Sequence, residues 1–219
     1  MILTSNGIDL TGQIMLNRMK RITYQVNDFD KVLNTFYSIA KSYCPVFKVT
    51  KPFKEVAIDL IRYCLNLEGK LDNLKGFGIM GATGTRKTFI CRCLQQFMKI
   101  DGIRYIKNNE FYSFNYQIYN SREIINEMIR EGDYEKFVNI NILLIDDLGS
   151  EPVEVNFYGN RINAIETILE MRYYRDKLTH FTTNLTEQAI RDRYGERVYS
   201  RLREKTNFIE LVDIDFRLL

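Results

Sequence analysis

From residue 75 onward, short stretches typical of strands alternate with longer stretches of helical period. Strands are predicted over residues 76–80, 114–119, 140–145, 178–183 and 208–212, of which 76–80 and 140–145 are apolar runs. Helices are predicted over residues 88–98, 122–130, 158–175 and 187–193, with Ser121 as the N-cap of the second. Strands separated by helices join through right-handed crossovers, so the pattern predicts an α/β fold around a parallel sheet.

The first fifty residues follow a different pattern. Their apolar positions recur at mixed helical spacing, and Pro45 and Pro52 interrupt two helical patterns. Because helices usually end before a proline, the stretch 45–52 marks the predicted boundary. We therefore expect a short helical N-terminal segment over residues 1–50 and a single α/β domain over residues 51–219.

The composition of the chain is that of an ordinary globular protein, with 45% hydrophobic and 27% charged residues among 219. A net charge of +3 permits a local basic face but does not by itself indicate a nucleic-acid partner. The N-terminus lacks a basic start followed by an apolar core, and no stretch approaches the roughly 18 apolar residues of a membrane span. We expect a cytoplasmic protein that does not enter the membrane.

A glycine-rich turn between the first of these strands and its following helix carries the first candidate chemistry. Its residues are Gly81, Ala82, Thr83, Gly84, Thr85, Arg86, Lys87 and Thr88. Such a loop directs a run of backbone N–H groups and a helix N-terminus at phosphate oxygens. Lys87 would neutralise the β- and γ-phosphates, and the Thr88 hydroxyl would ligate Mg²⁺. The segment is therefore a predicted Walker A loop for ATP and magnesium.

Arg86 departs from the usual pattern of such loops, which have glycine before the lysine. A side chain at a position that needs a positive φ costs about 1–2 kcal/mol. Gly81 and Gly84 still allow the loop to form, and the guanidinium either attracts the phosphates or obstructs the nucleotide. The sequence leaves two alternatives open here, a loop that binds ATP and a degenerate loop that binds it poorly or not at all.

Two acidic residues follow the most apolar run. Residues 140–145 are apolar except at Asn141, which is typical of a strand buried on both faces, and Asp146 and Asp147 come next. We expect this strand to lie beside that of residues 76–80, with its carboxyl end facing the phosphates. Asp146 would hold Mg²⁺ through a water molecule, and Asp147 would act as general base on the attacking water. The alternative is a surface turn, which the upstream phosphate loop argues against.

Four segments together are specific enough to indicate a family. They are GATGTRKT, LLIDDLGSE, THFTTNLT and YGERVYSRLRE. From about Lys75 to the C-terminus the chain resembles the DnaC/IstB branch of AAA+ ATPases. The resemblance implies a P-loop NTPase fold, a three-layer sandwich with a central parallel sheet. It also implies that Asn184, at the tip of a strand, senses the γ-phosphate. An amide can bond both the attacking water and a phosphate oxygen, although Asn184 can instead cap the following helix.

The segment GERVYSRL resembles the part of this family that bears its arginine finger. Arg201 matches that position, and Arg197 is the second choice, one turn earlier on the same face. In AAA+ proteins this arginine reaches the ATP of a neighbouring subunit, so the resemblance implies an ATP-dependent homo-oligomer. The alternative is a solvated basic helix in which the arginines pair with Glu196 and Glu204. Arg217 matches the place where relatives carry a second sensor arginine for the nucleotide.

The resemblance further implies DNA, single-stranded or duplex, and a client protein such as a replicative helicase or a transposase. Residues 104–107 and 111–116 mix basic and aromatic side chains that can stack on bases, although such aromatics are more often core. Residues 1–50 either recruit the client or brace the ATPase domain. The leading hypothesis is an ATP-dependent replication accessory protein of helicase-loader type. The alternatives are an IstB-like transposition helper ATPase and a non-hydrolysing adaptor with a loop impaired by Arg86.

Overall fold

A five-stranded parallel sheet organises the computed structural model, which describes residues 19–213. The described strands, five of which form this sheet, are β1 (Lys20–Arg21), β2 (Gly76–Met80), β3 (Arg104–Lys107), β4 (Glu110–Ser113), β5 (Gln117–Asn120), β6 (Ile142–Leu148), β7 (Val155–Phe157), β8 (Asn160–Ile162), β9 (Leu178–Thr183) and β10 (Thr206–Glu210). Its helices are α1 (Phe29–Tyr43), α2 (Lys51–Cys64), α3 (Lys87–Ile100), α4 (Ser121–Glu131), α5 (Glu135–Asn139), α6 (Ala164–Tyr174) and α7 (Glu187–Lys205). None of these described helices is long and apolar enough to cross a bilayer.

Helices cover both faces of this sheet. The strand order is β10-β2-β9-β6-β5, and every neighbouring pair is parallel. In β6, Leu143 and Ile145 pack into one apolar cluster with α4, α6 and α7. Ile142 and Leu144 pack into a second cluster with α1, α2 and α3, because side chains alternate between the faces of a strand. The predicted three-layer α/β fold with a central parallel sheet is confirmed.

The position of β6 in the sheet corrects the sequence-based expectation. We expected β6 to lie beside β2, but β9 lies between them and pairs with both strands. The last four residues of β9 are buried, as a strand at the centre of a sheet requires. The acidic end of β6 therefore meets the phosphate loop through the first turn of α3 and through β9, and not by direct pairing with β2.

Helices α1 and α2 pack on the same face of the sheet as α3. Each begins after a side chain that accepts a backbone N–H of the first turn, Asp28 for α1 and Thr50 for α2. Phe36 of α1 packs against Phe53 of α2 and Phe97 of α3, with ring centroids 6.5 and 6.2 Å apart. The described part of the N-terminal segment thus contributes to the core of the α/β domain.

One predicted helix begins later than expected. The sequence predicted a helix over residues 158–175, but the β7–β8 hairpin comes first and α6 begins at Ala164. Tyr158 (φ 48°) and Gly159 (φ 83°) both adopt left-handed conformations, as the two-residue turn of a hairpin requires. Asn163 then caps α6 by accepting a backbone N–H. Apolar residues of the hairpin lie at helical spacing from those of α6, so the sequence pattern predicted a helix where the turn occurs.

Three of the predicted strands are displaced along the chain by a few residues. Strand β5 begins at Gln117, β6 at Ile142 and β10 at Thr206. Phe114 and Tyr116 precede β5 as buried side chains of the core. The strand predicted at residues 114–119 was therefore too early, because apolar character there reflects burial in a connecting segment.

Helix α4 differs from prediction at its start, and α7 is divided by a glycine. Asn120, and not Ser121, is the N-cap of α4. The Glu123 carboxylate in turn accepts a 3.1 Å hydrogen bond from the Asn120 backbone N–H. The helix predicted over residues 187–193 ends near its predicted end, because Gly195 has a non-helical backbone (φ 78°, ψ 160°). A second helical segment then runs to Lys205, so Gly195 divides α7 into two.

Candidate nucleotide-binding site

The glycine-rich loop leaves the carboxyl end of β2 and leads into α3, as predicted. An added Cβ at Gly81 would lie 2.4 Å from the Leu211 carbonyl oxygen, so the close approach of two backbones requires glycine there. Gly84 adopts a φ of 83°, which also favours glycine. Ala82 and Thr83 are exposed at the crest of the loop. The loop therefore has the conformation that the two glycines were predicted to allow.

Lys87 lies inside this loop and is 5% exposed. Its ammonium donates hydrogen bonds of 2.8 Å to the carbonyl oxygens of Gly81 and Ala82. A third bond, of 2.6 Å, goes to the side-chain oxygen of Asn184. The Thr85 hydroxyl lies 3.5 Å from the same ammonium. The structure thus brings the predicted phosphate-binding lysine into contact with the predicted γ-phosphate sensor.

The two predicted metal ligands lie in direct contact. The Thr88 hydroxyl donates a 2.8 Å hydrogen bond to Oδ1 of Asp146. The same carboxylate oxygen accepts a 2.6 Å bond from the Thr182 hydroxyl of β9. A hydroxyl beside a carboxylate is the all-oxygen donor set that Mg²⁺ prefers, with further positions filled by water and phosphate. Thr88 and Asp146 therefore fit a magnesium site.

Asp147 occupies an irregular position at the end of β6. Its φ is 54°, and the pairing of β6 with β9 shifts in register between Ile145 and Leu148. Its backbone N–H donates to Thr182 Oγ1 at 2.9 Å, and its carbonyl accepts a 2.9 Å bond from the Ser121 hydroxyl. A left-handed aspartate costs about 1–3 kcal/mol, and such strain concentrates at functional sites. The irregular backbone changes the direction of Asp147, the predicted general base, from the one it would have in a regular strand.

Arg86 adopts the left-handed conformation (φ 65°, ψ 26°) that usually selects glycine at this place. Its guanidinium donates to the Lys48 carbonyl at 3.1 Å and lies 4.9 Å from the ring centroid of Phe47. The ring centroid of Phe89 lies 6.0 Å from the same guanidinium. Burial lowers the pKa of this guanidinium, although arginine stays protonated in proteins. The side chain therefore reaches toward the connection between α1 and α2.

The two candidate finger arginines share partners on α6. Arg201 forms a 2.6 Å ion pair with Glu170 and a 2.6 Å bond with the Tyr174 hydroxyl. Arg197 contacts the same two residues at 3.0 and 2.6 Å. The side chain of Arg197 is 64% exposed and that of Arg201 18%. Glu196 and Glu204 are therefore not the main partners. Arg217 lies outside the described residues.

Sequence reasoning missed two groups that hold the site together. Thr182 links Asp146 and Asp147, and its position one residue before the end of β9 was its only signal. Glu151 is 4% exposed, accepts the Gly149 backbone N–H at 2.8 Å and pairs with Arg193 at 3.2 Å. The acidic residue in LLIDDLGSE therefore ties the loop after β6 to α7. A buried carboxylate is hard to distinguish from an exposed one by sequence alone.

No family model matches the chain, and no curated protein sequence matches it significantly. Solved structures do match its fold. The DnaC helicase loader aligns with a TM-score of 0.55 at 21% identity, over 77% of this chain and 94% of that one. DnaI aligns with a TM-score of 0.56 at 19% identity, over 81% and 92%. The fold of this chain is therefore similar to that of DnaC and DnaI. A replication initiator DnaA, bound to AMPPCP and single-stranded DNA, aligns at 0.50 with 17% identity, over 75% of this chain and 48% of that one.

This fold places these groups where open α/β sheets bind ligands, beyond the carboxyl ends of the strands. Strands β2 and β9 end side by side there, and the Gly81 backbone N–H donates to the Thr183 carbonyl at 3.3 Å. That bond holds the end of β9, and with it Asn184, against the glycine-rich loop. The predicted site residues from three separate segments are thus assembled at one edge of the sheet.

Proposed function

We propose that this chain is an ATP-dependent accessory protein of DNA replication, of the helicase-loader type, acting in the cytoplasm. It binds Mg-ATP at the carboxyl edge of its sheet and hydrolyses it between subunits. The observation that carries the proposal is the convergence of Lys87 with Asn184 and of Thr88 with Asp146, at 2.6 and 2.8 Å. A structural loop with a chance lysine has no need to assemble both pairs.

Each residue has a distinct part in the proposed reaction. The loop amides and the Lys87 ammonium bind the β- and γ-phosphate oxygens. Thr88 and Asp146 hold magnesium, which neutralises charge on these phosphates when bound. Asn184 orients the attacking water by donating and accepting hydrogen bonds, and Asp147 accepts its proton. Water adds to the γ-phosphorus as the bond to ADP breaks.

The neighbouring subunit completes the proposed site. Arg201 supplies the guanidinium that stabilises charge on the transferring phosphoryl group, and the more exposed Arg197 is the alternative. Both arginines are held by Glu170 within their own chain, so reaching a neighbour's phosphate requires exchanging that carboxylate for phosphate oxygens. This exchange of one anion for another would couple ATP binding to formation of the homo-oligomer.

DNA and a client protein are the proposed macromolecular partners. The similar DnaA is bound to single-stranded DNA and AMPPCP, and the similar DnaC is a helicase loader. We therefore expect single-stranded or duplex DNA and a replicative helicase as partners. A transposase client, as for an IstB-like transposition helper, is the alternative within the same ATPase class.

The first experiment measures the rate of ATP hydrolysis against protein concentration, with and without single-stranded DNA. A finger from a neighbour makes specific activity rise with concentration, whereas a self-contained site gives a constant value. Lys87→Ala should abolish ATP binding. Lys99→Ala, which removes an exposed lysine at the far end of the same helix, is the matched control. Unchanged binding in Lys87→Ala would place the nucleotide elsewhere and reject the proposal.

One observation favours a second candidate, a non-hydrolysing adaptor of the same fold. Arg86 occupies a left-handed position that disfavours a side chain, so the loop is strained by about 1–2 kcal/mol. Calorimetry with ATP and magnesium distinguishes the two candidates. Tight binding only in Arg86→Gly supports the adaptor, whereas tight binding in the unchanged chain supports the ATPase. The guanidinium contacts with Lys48 and Phe47 support the ATPase, because they direct the side chain to the α1–α2 connection.

A further inference from the structure

A wide groove lies at the opposite edge of the sheet from the nucleotide site. It is formed by the segments that precede β2, β6, β9 and β10, together with β1 and the β3–β4 hairpin, and it has a volume of about 720 Å³. Its cationic lining residues are Arg21, Lys107, Arg175, Lys177 and Lys205. Asp176 is the one acidic residue among the described lining residues. We call this feature the amino-end groove, because it lies at the amino ends of the central strands.

Positive charge is concentrated around Lys177 in the amino-end groove. Its ammonium donates a 2.9 Å bond to the side-chain oxygen of Asn141, which fixes its position. Burial, followed by the nearby cations Lys107, Arg172 and Arg175, lowers the pKa of Lys177. Cations that disfavour one another's charge are stabilised together when an anion enters between them. Arg175 is paired with Glu135 and Lys205 with Asp176, at 2.6 and 2.9 Å, whereas Lys107 and Lys177 form no ion pair among the described residues. Lys107 and Lys177 are therefore the cations that can contact an anionic ligand.

The β3–β4 hairpin adds an aromatic surface beside these charges. Tyr105, which lines the groove, stacks on Tyr112 with ring centroids 5.5 Å apart and an interplanar angle of 24°. Tyr112 is 37% exposed, and its neighbour Phe111 is 65% exposed. Stacked aromatic rings next to lysines bind single-stranded nucleic acids with little sequence preference, because every base has a flat face to stack. Duplex DNA keeps its bases stacked inside and cannot use this surface.

From the charges and the aromatic rings together, we infer that the amino-end groove binds single-stranded nucleic acid. Phosphates contact Lys107 and Lys177, and a base stacks on Tyr112. This site is separate from the proposed ATPase function, because β9 spans the sheet between Lys177 and Asn184, a distance of about 20 Å. The inference therefore stands or fails independently of ATP hydrolysis.

The charge contribution is tested with Lys107→Gln/Lys177→Gln in the full chain. The measurement is fluorescence anisotropy of a labelled oligothymidylate of about 20 nucleotides, titrated at several salt concentrations without nucleotide. Each lost phosphate contact lowers the slope of log K against log salt by about 0.7, so the double variant should lose about 1.4. At about 0.1 M salt this corresponds to about 25-fold weaker binding. Lys41→Gln/Lys54→Gln, which removes two exposed lysines of α1 and α2, should bind as the unchanged chain does.

The stacking contribution is tested at Tyr112 on the exposed hairpin. Tyr112→Leu should weaken binding of the same oligonucleotide about 5- to 100-fold, whereas Tyr112→Phe retains the flat ring and most of the affinity. Lys177 has bonds within the fold, so circular dichroism and ATP affinity of each variant check that it is folded. If Lys177→Gln does not fold, Lys107→Gln and Tyr112→Leu test the same inference from the hairpin alone.

Three results would overturn the inference. One is unchanged oligonucleotide affinity in both Lys107→Gln and Tyr112→Leu. Another is equal loss in the Lys41→Gln/Lys54→Gln control, which indicates only general attraction to a basic protein. The third is competition by polyglutamate as effective as that by unlabelled oligonucleotide, with no effect of Tyr112→Leu, which assigns the groove to an acidic protein segment. Loss of oligonucleotide binding with intact ATP binding supports the inference, and loss of ATP binding alone bears only on the proposed function.

Discussion

The Lys87 ammonium donates a 2.6 Å hydrogen bond to the side chain of Asn184, although 97 residues separate the two in sequence. The bond crosses from the first turn of α3 to the residue that follows β9. It places an amide beside the one cation that the glycine-rich loop encloses. The Lys87 ammonium and the Asn184 amide can therefore both contact a phosphate group that enters the loop.

Replacing Asn184 by alanine should separate binding from hydrolysis. Lys87 and the loop amides still bind ATP in this variant, so its affinity should change little. The rate of hydrolysis should fall about 100-fold or more, because a group that orients water and stabilises developing charge is lost. Asn34→Ala, at an exposed position on α1, is the control. A hydrolysis rate equal to that of the unchanged chain would remove Asn184 from the reaction.

Replacing Thr182 by valine should weaken both the fold and the metal site. The Thr182 hydroxyl donates to Asp146 and accepts from the Asp147 backbone, and valine has the same shape without either bond. We expect the free energy of unfolding to fall by about 1–3 kcal/mol and the magnesium dependence of ATP binding to shift to higher concentration. Urea unfolding and calorimetry measure the two effects. Thr182→Ser, which keeps the hydroxyl, should restore both, and failure to do so would contradict this account.

Arg86 combines an unfavourable backbone with favourable side-chain contacts, and two variants separate these effects. Arg86→Ala loses the contacts with Lys48 and Phe47 but keeps a Cβ at a φ of 65°. Arg86→Gly loses the same contacts and removes the steric cost. We expect the glycine variant to be more stable than the alanine variant by about 1 kcal/mol in urea unfolding. Equal stability of the two would show that the loop tolerates a Cβ at this position.

His180 should make stability depend on pH at the acidic side. It is fully buried, its Nδ1 accepts the Phe77 backbone N–H at 2.9 Å, and burial with Arg21 and Arg172 lowers its pKa well below the usual value. The unfolded chain takes up a proton near pH 6.5 that the folded chain does not. Stability is therefore fully present above about pH 6.5 and falls below it, by about 1.4 kcal/mol per pH unit from this group.

His180→Asn is the variant that isolates this effect, because an amide oxygen can still accept the Phe77 N–H but does not titrate. The free energy of unfolding, measured at several pH values, should fall less steeply as the pH is lowered in the variant than in the unchanged chain. The difference in slope between the two proteins removes the contribution of the carboxylates. Parallel slopes below pH 6 would show that His180 titrates normally in the folded chain.

Local patterns in the sequence predicted the sheet and most of the nucleotide site. Strand β2 and strand β9 have the predicted bounds, because β2 is an apolar run before a glycine-rich turn and β9 is rich in threonine and aromatic residues, which favour strands. Lys87, Thr88 and Asp146 lie at fixed positions relative to such strands, so their convergence follows once the strands are parallel. The contact between Thr88 and Asp146 is an instance of this rule.

Features that depend on distant packing were not predictable in the same way. The place of β9 between β2 and β6 depends on which strands pair, and each strand alone is compatible with several orders. The β7–β8 hairpin depends on left-handed conformations at Tyr158 and Gly159, which helical spacing of neighbouring apolar residues concealed. The amino-end groove combines Lys107 at the end of β3, Lys177 before β9 and Lys205 at the end of α7, and no local pattern unites them.

Strand β9 connects the proposed nucleotide site to the amino-end groove. Lys177 immediately precedes the strand and Asn184 immediately follows it, and its neighbours on both sides fix it through parallel pairing. Because pairing on both sides fixes β9, Lys177 and Asn184 keep a constant separation. The two proposed sites can therefore change position relative to each other only if the sheet itself rearranges.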